Sequence, residues 1–159
     1  MTTNGSTTSD ITLQHVSSQP TLVVRFNFGG RDVAELMGHA LDAVQEYLTR
    51  AQMSPVGPPF TRYLAMTDEV KRAETGFPVE WAIEGGDLVV ASQLPAGRVA
   101  RMIHTGPYEN LMDAHNSMVD WIRDRGLTPA GGPIEIYLND PFDVEDPSEY
   151  QTEIIWPIE

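Results

Sequence analysis

Leu36-Met37-Gly38-His39-Ala40-Leu41-Asp42-Ala43-Val44 and, later in the chain, Leu111-Met112-Asp113-Ala114-His115-Asn116-Ser117-Met118-Val119 decide how this sequence folds. Leu, Met and Val recur in them 75 positions apart, and so do Leu13 and Leu88, Ser17 and Ser92, Pro20 and Pro95, Val24 and Val99, and Trp81 and Trp156. One residue is then lost: Pro55 and Pro129, Gly57 and Gly131, Pro59 and Pro133, Tyr63 and Tyr137, and Leu64 and Leu138 stand 74 apart. Chance identities scatter over many offsets. A single offset with one slip in a loop reads as an internal duplication, and a repeat outranks local propensity as evidence for architecture.

Each half, about 10–85 and 86–159, reads strand, strand, helix, strand, strand. The first helix is expected over Arg31 to Gln52, where Val33, Leu36, Met37, Ala40, Leu41, Val44, Tyr47, Leu48 and Ala51 form one apolar stripe at helical spacing. The second runs from Pro107 to Arg125, with Leu111, Met118, Val119 and Ile122 on its face and a stop at Gly126. The expected strands are Thr12 to Ser17, Leu22 to Phe28, Phe60 to Met66, Val79 to Glu84, Leu88 to Gln93, Arg98 to Thr105, Ile134 to Asn139 and Thr152 to Trp156. Two helices cannot cover both faces of so many antiparallel strands. The fold class that follows is α+β: two β-α-β-β modules related by a pseudo-two-fold, an eight-stranded curved antiparallel sheet with the helices on one face and a ligand cleft on the other. Residues 1–9, all Ser, Thr, Asn, Gly or Met, have little to bury and read as a flexible tail before a single domain over 10–159.

Charge removes several functions. Ten Lys and Arg against 23 Asp and Glu give a formal net charge of −13, so the chain repels phosphate backbones and anionic membranes. Direct nucleic-acid binding is not expected. There is no apolar run of the ~20 residues a membrane helix needs and no signal-peptide pattern at the start, which points to a cytoplasmic protein. The 159 residues contain no Cys, so disulfides, thiolate metal sites and cysteine nucleophiles are excluded. His15 and His104 have no partner at metal-ligand spacing and the acidic stretch Asp140 to Glu149 fails the calcium-loop pattern, so neither metal nor cofactor is expected.

The chemistry centres on Ile134-Glu135-Ile136-Tyr137-Leu138-Asn139. Strict alternation sends Ile134, Ile136 and Leu138 to one face and Glu135 and Tyr137 to the other. If the apolar triplet meets the helices, Glu135 and Tyr137 look onto the helix-free face. There Glu135 is either one of many solvated acids or a carboxylate at the base of an aromatic-lined cleft, attracting cations and held ionised by Tyr hydroxyls. Its counterpart in the first half is Thr61. Trp81 and Trp156 could sandwich a planar ligand or simply pack in the core. His115 falls among Leu111, Met118 and Val119 on its helix and is expected to be a buried histidine with a bonded ring nitrogen.

Gly106-Pro107-Tyr108-Glu109-Asn110-Leu111, Gly132-Pro133-Ile134-Glu135-Ile136-Tyr137-Leu138-Asn139-Asp140-Pro141 and Thr152-Glu153-Ile154-Ile155-Trp156-Pro157-Ile158 resemble, in order and spacing, the GyrI-like small-molecule-binding domain, which also forms the effector-binding half of AraC-type and MerR-type regulators. The resemblance implies a cleft for hydrophobic, aromatic or cationic small molecules of the antibiotic or toxin class, with Glu135 as the ligand-facing acid and Tyr108 and Tyr150 among the aromatics. The expected ligand-binding set is Glu135, Tyr108, Tyr137, Tyr150, Tyr47, Tyr63, Trp81 and Trp156. No helix-turn-helix precedes the domain in this sequence, so a standalone member serving sequestration or resistance is expected.

Some members hydrolyse cyclopropane-bearing, DNA-alkylating antibiotics. As the alternative, the resemblance implies a hydrolase with Glu135 as general base and Tyr137 or Tyr108 as proton donor. A third reading, an acidic protein that modulates a DNA-handling enzyme such as gyrase, requires negative charge gathered on one surface, whereas the acids here are scattered and no protein partner is identified.

Overall fold

The computed structural model describes residues 7–29, 32–67, 69–139 and 144–159. Arg31 and Asp140 to Asp143, which the sequence reading placed in the first helix and the acidic stretch, lie outside them, as do residues 1–6 of the expected tail. The chain divides into two compact units, Ser17–Ala96 and Gly97–Glu159 with the chain start to Val16. Each is an antiparallel sheet carrying one helix. Among the described residues no helix is long and apolar enough to cross a membrane.

In Ser17–Ala96 the elements are β3 (Gln19–Asn27), α1 (Val33–Arg50), β4 (Phe60–Met66), β5 (Lys71–Pro78) and β6 (Val90–Leu94), with strand order β6-β3-β5-β4. Helix α1 starts where Asp32 Oδ1 accepts from Ala34 N at 3.0 Å and Glu35 N at 3.4 Å, using a side chain to satisfy backbone donors that have no intrahelical partner. It buries Ala40, Val44 and Leu48 against Leu22, Val24, Val79 and Val89.

The other unit holds β1 (Thr7–Thr8), β2 (Thr12–Val16), β7 (Gly97–Thr105), α2 (Leu111–Asp124), β8 (Ile134–Tyr137) and β9 (Gln151–Pro157). Its strand order is β2-β7-β9-β8, and β1 also pairs with β7. Helix α2 buries Leu111, Ala114, Met118 and Ile122 against Ala100, Met102, Ile154 and Ile158. Thr7 and Thr8, read from composition as tail, join a strand because edge pairing uses backbone groups and asks nothing of the side chains.

The duplication is present with a different spacing from the one the identities suggested. Buried Ala40, Val44 and Leu48 correspond to buried Ala114, Met118 and Ile122, 74 residues later, while Val119 is 37% exposed. Both helices close alike: Gln52 (φ 57°) and Gly126 (φ 70°) turn the chain left-handed, and Met53 N and Leu127 N donate back to Leu48 O and Ile122 O at 2.9 and 3.0 Å. In the sheets, Leu22 and Val24 of β3, packed with α1, correspond to Ala100 and Met102 of β7, packed with α2, an offset of 78. The strand that opens each repeat is exchanged, β2 pairing with β7 and β6 with β3.

Two strand assignments change. Val79 to Glu84 is not a strand, and Trp81, 56% exposed, lies outside the sheet and does not correspond to Trp156 of β9. The missed strand is β5. Its Ala73, Glu74, Thr75 and Gly76 are all buried, so both faces of the strand are covered and the sequence shows no alternation. Glu74 is accommodated by Arg25 Nε at 3.1 Å and Ser92 Oγ at 2.8 Å. Gly76 is required there, since a Cβ would stand 1.9 Å from Leu22 O.

Candidate functional site

Cross-strand partners share a face of the sheet, and two adjacent rows of the second unit define the site. Met102, Ile154 and Glu135 form one row, and His104, Thr152 and Tyr137 the next. Met102 and Ile154 pack on α2, so Glu135 and Tyr137 face the helix as well. This reverses the expected orientation of the strand. Alternation separates two faces without saying which meets a helix, and here the opposite face is also covered at Ile134, which is 2% exposed.

Glu135 is buried and both of its oxygens are engaged. Tyr137 donates its hydroxyl to Oε1 at 2.8 Å, and His115 Nε2, reaching from α2, lies 2.7 Å from Oε2. His115 thus sits on the apolar face of its helix with a bonded ring nitrogen, as its position in the stripe implied, and its ring meets Trp156 edge-on at 6.2 Å. Its Nδ1 is buried with no hydrogen-bond partner among the described residues.

His104 is the residue that sequence reasoning passed over. It is 1% exposed and neither ring nitrogen has a hydrogen-bond partner among the described residues, nor does the hydroxyl of Thr152 opposite it. Burial pushes its imidazole below the ordinary histidine value, Glu135 pulls the other way and His115 adds to the lowering. The available signal was a histidine at the same strand parity as Ala100 and Met102, a phase that marks the covered face.

The aromatic wall is assembled by the motifs. Gly106, at φ 147°, donates its backbone N–H to Tyr150 O at 2.8 Å. That bond brings the Gly-Pro-Tyr turn beside Tyr150, and Tyr108 stacks on Tyr150 with centroids 4.9 Å apart and 27° between planes. Tyr108 also meets Tyr137 edge-on at 5.9 Å. Asn139 holds the far side, donating to Glu149 O at 2.9 Å and accepting from Gln151 N at 3.0 Å.

Of the expected set, Glu135, Tyr137, Tyr108, Tyr150 and Trp156 occupy this unit. Tyr47, Tyr63 and Trp81 belong to Ser17–Ala96, where Tyr47 donates to Glu84 O at 3.0 Å and Tyr63 meets Phe28 edge-on at 5.9 Å. No group of three or more His, Asp or Glu placed to hold a metal ion occurs among the described residues.

The sequence pattern of the GyrI-like small molecule binding domain matches residues 14–159. The chain belongs to the GyrI-like family. Among solved structures, this GyrI-like chain is similar to EcmrR. It is 21% identical to the EcmrR C-terminal domain (TM-score 0.78, covering 94% of this chain and 97% of that one). Against EcmrR in its complex with DNA the identity is 19% and the TM-score 0.81, and the match covers 94% of this chain and 57% of the longer one. The chain therefore spans little more than half of that regulator. A hydrolase from Listeria innocua is 14% identical (TM-score 0.67, covering 94% and 91%). SAV2435 bound to tetraphenylphosphonium is 11% identical (TM-score 0.64, covering 95% and 94%). At these identities the likeness concerns the GyrI-like fold. Among curated proteins none matches the chain.

Proposed function

We propose that this GyrI-like protein captures aromatic or cationic small molecules of the antibiotic or toxin class, with Glu135 as the acid that meets the ligand and Tyr108, Tyr137, Tyr150 and Trp156 as its aromatic surroundings. One observation carries the reading: a carboxylate only 7% exposed at its side chain, contacted by a tyrosine hydroxyl and a histidine ring beside a stacked tyrosine pair. A delocalised cation gains there from the carboxylate and from the ring faces, while a hydrated inorganic cation would lose its water for little return. Tetraphenylphosphonium, the cation held by SAV2435, is the first probe. Glu135→Gln should weaken its binding by ~1–3 kcal/mol and leave neutral triphenylphosphine oxide nearly unaffected, as measured by calorimetry. Equal losses for both probes, or none, would remove Glu135 from the role.

A second reading is favoured by the direct Tyr137–Glu135 hydrogen bond, which joins an acid–base pair. In it Glu135 takes a proton from water as the water oxygen bonds to a cyclopropane carbon of a bound electrophile. As that bond forms the ring C–C bond breaks, its electron pair passing through the conjugated system to the carbonyl, whose oxygen receives the proton of a tyrosine, and the proton taken up by Glu135 returns to the tyrosinate. Mass analysis of cyclopropane-bearing compounds after incubation distinguishes capture from hydrolysis by the addition of one water.

A further inference from the structure

The two repeats close the same helix-on-sheet contact with different chemistry. Where one places Glu135, His115 and His104, the corresponding positions of the other hold Thr61, Leu41 and Phe26, and Thr61 simply shares a hydrogen bond with Thr75 at 2.9 Å. The fold does not need titratable groups in this place. Buried polar groups that architecture does not require call for another explanation.

The histidine and the carboxylate form a two-state pair. With a neutral ring, Nε2–H of His115 donates to Glu135, the carboxylate charge remains, and Nδ1 keeps a lone pair without a partner. With a protonated ring the charges cancel, at the cost of a buried Nδ1–H that has no acceptor among the described residues. Among the groups facing the pair are Tyr137 from β8, His104 from β7 and Trp156 from β9, with Tyr108, from the turn before α2, meeting Tyr137 in turn. Leu111 and Met118 flank His115 on its own helix. Among these neighbours His104 is the other histidine, and burial holds its imidazole below the ordinary histidine value.

We propose that His115 is a specificity-determining residue: neutral, it leaves the Glu135 carboxylate charge for a cationic ligand, and protonated, it takes that charge for itself, so that binding a cation expels a proton. This rests on the reading of Glu135 as the ligand-facing acid. A neutral aromatic ligand exchanges nothing. Affinity for cations therefore rises with pH where His115 loses its proton, and affinity for neutral ligands stays level.

The test compares tetraphenylphosphonium with triphenylphosphine oxide from pH 5 to 8, with calorimetry in two buffers of different ionisation enthalpy to count protons. Wild-type protein should gain up to about tenfold per pH unit for the cation over part of this range, releasing up to about one proton, with the oxide changing by less than about twofold. His115→Gln, which keeps an amide donor toward Glu135 and cannot titrate, should abolish both the slope and the proton release. A slope that persists in His115→Gln, or cation binding that is sensitive to Glu135→Gln yet releases no proton, overturns the proposal alone. If His115→Gln does not fold, the wild-type proton count decides. Absence of tetraphenylphosphonium binding at every pH overturns the reading of Glu135 and this proposal with it.

Discussion

His115 Nε2 lies 2.7 Å from Glu135 Oε2, a polar contact beside the apolar cluster of Leu111, Ala114, Met118 and Ile122 with Ala100, Met102, Ile154 and Ile158. Breaking such a pair from one side strands the other partner, whereas replacing both by the residues of the sister repeat removes the carboxylate and the imidazole together. His115→Leu should therefore lower the unfolding free energy by about 1–3 kcal/mol, and adding Glu135→Thr should recover part of the loss. Additive losses in urea unfolding would mean that the two side chains are not coupled.

Tyr137 holds the other oxygen of Glu135 at 2.8 Å. If the protein is a hydrolase that uses this hydroxyl as proton donor, Tyr137→Phe should cut turnover of a cyclopropane-bearing substrate by roughly 10²-fold or more while its binding changes little. Glu135→Gln should do the same to a base-catalysed reaction, by ~10²–10⁴. Unchanged turnover in Tyr137→Phe would exclude that tyrosine as the donor.

His104 makes folding sensitive to acid. Its imidazole is held below the unfolded value of 6.5, chiefly by burial, so as pH falls through 6.5 the unfolded chain takes up a proton that the folded protein refuses. Stability should fall with pH from about 6.5 down to the folded value and be lost no further below it. His104→Phe, the residue at the matching place in the other repeat, should flatten the dependence of the urea midpoint on pH in this window. An equal dependence in both proteins would show that His104 is not its source.

Gly76 tests the packing of β5. A methyl group there would meet Leu22 O at 1.9 Å and Val23 Cα at 2.8 Å, and backbone atoms cannot rotate away. Gly76→Ala should cost about 3 kcal/mol or more, or prevent folding. A variant that unfolds at the wild-type urea concentration would show that β3 and β5 are held apart in solution.

The composition of the site was legible at the level of residues. Alternation in Ile134-Glu135-Ile136-Tyr137 put Glu135 and Tyr137 on one face, the stripe of α2 placed His115 among apolar neighbours, and the Gly-Pro-Tyr motif marked Tyr108. Each is a local property, set by the two-residue period of a strand, the 3.6-residue period of a helix or the dihedral freedom of Gly106.

What only the tertiary structure decided is set by partners distant in sequence. Which face of β8 meets α2 depends on the register of Glu135 opposite Ile154 and Ile154 opposite Met102, and both faces are covered enough that hydrophobicity does not choose between them. Strand β5 was invisible because Glu74 is buried through an ion pair with Arg25, 49 residues away, so its polarity signalled exposure where there was none. The exchange of β2 and β6 between the repeats is likewise a matter of backbone hydrogen bonding, which side-chain identity constrains little. Local sequence determined the elements and the kinds of chemistry available, and long-range pairing determined that Glu135, His115 and His104 meet.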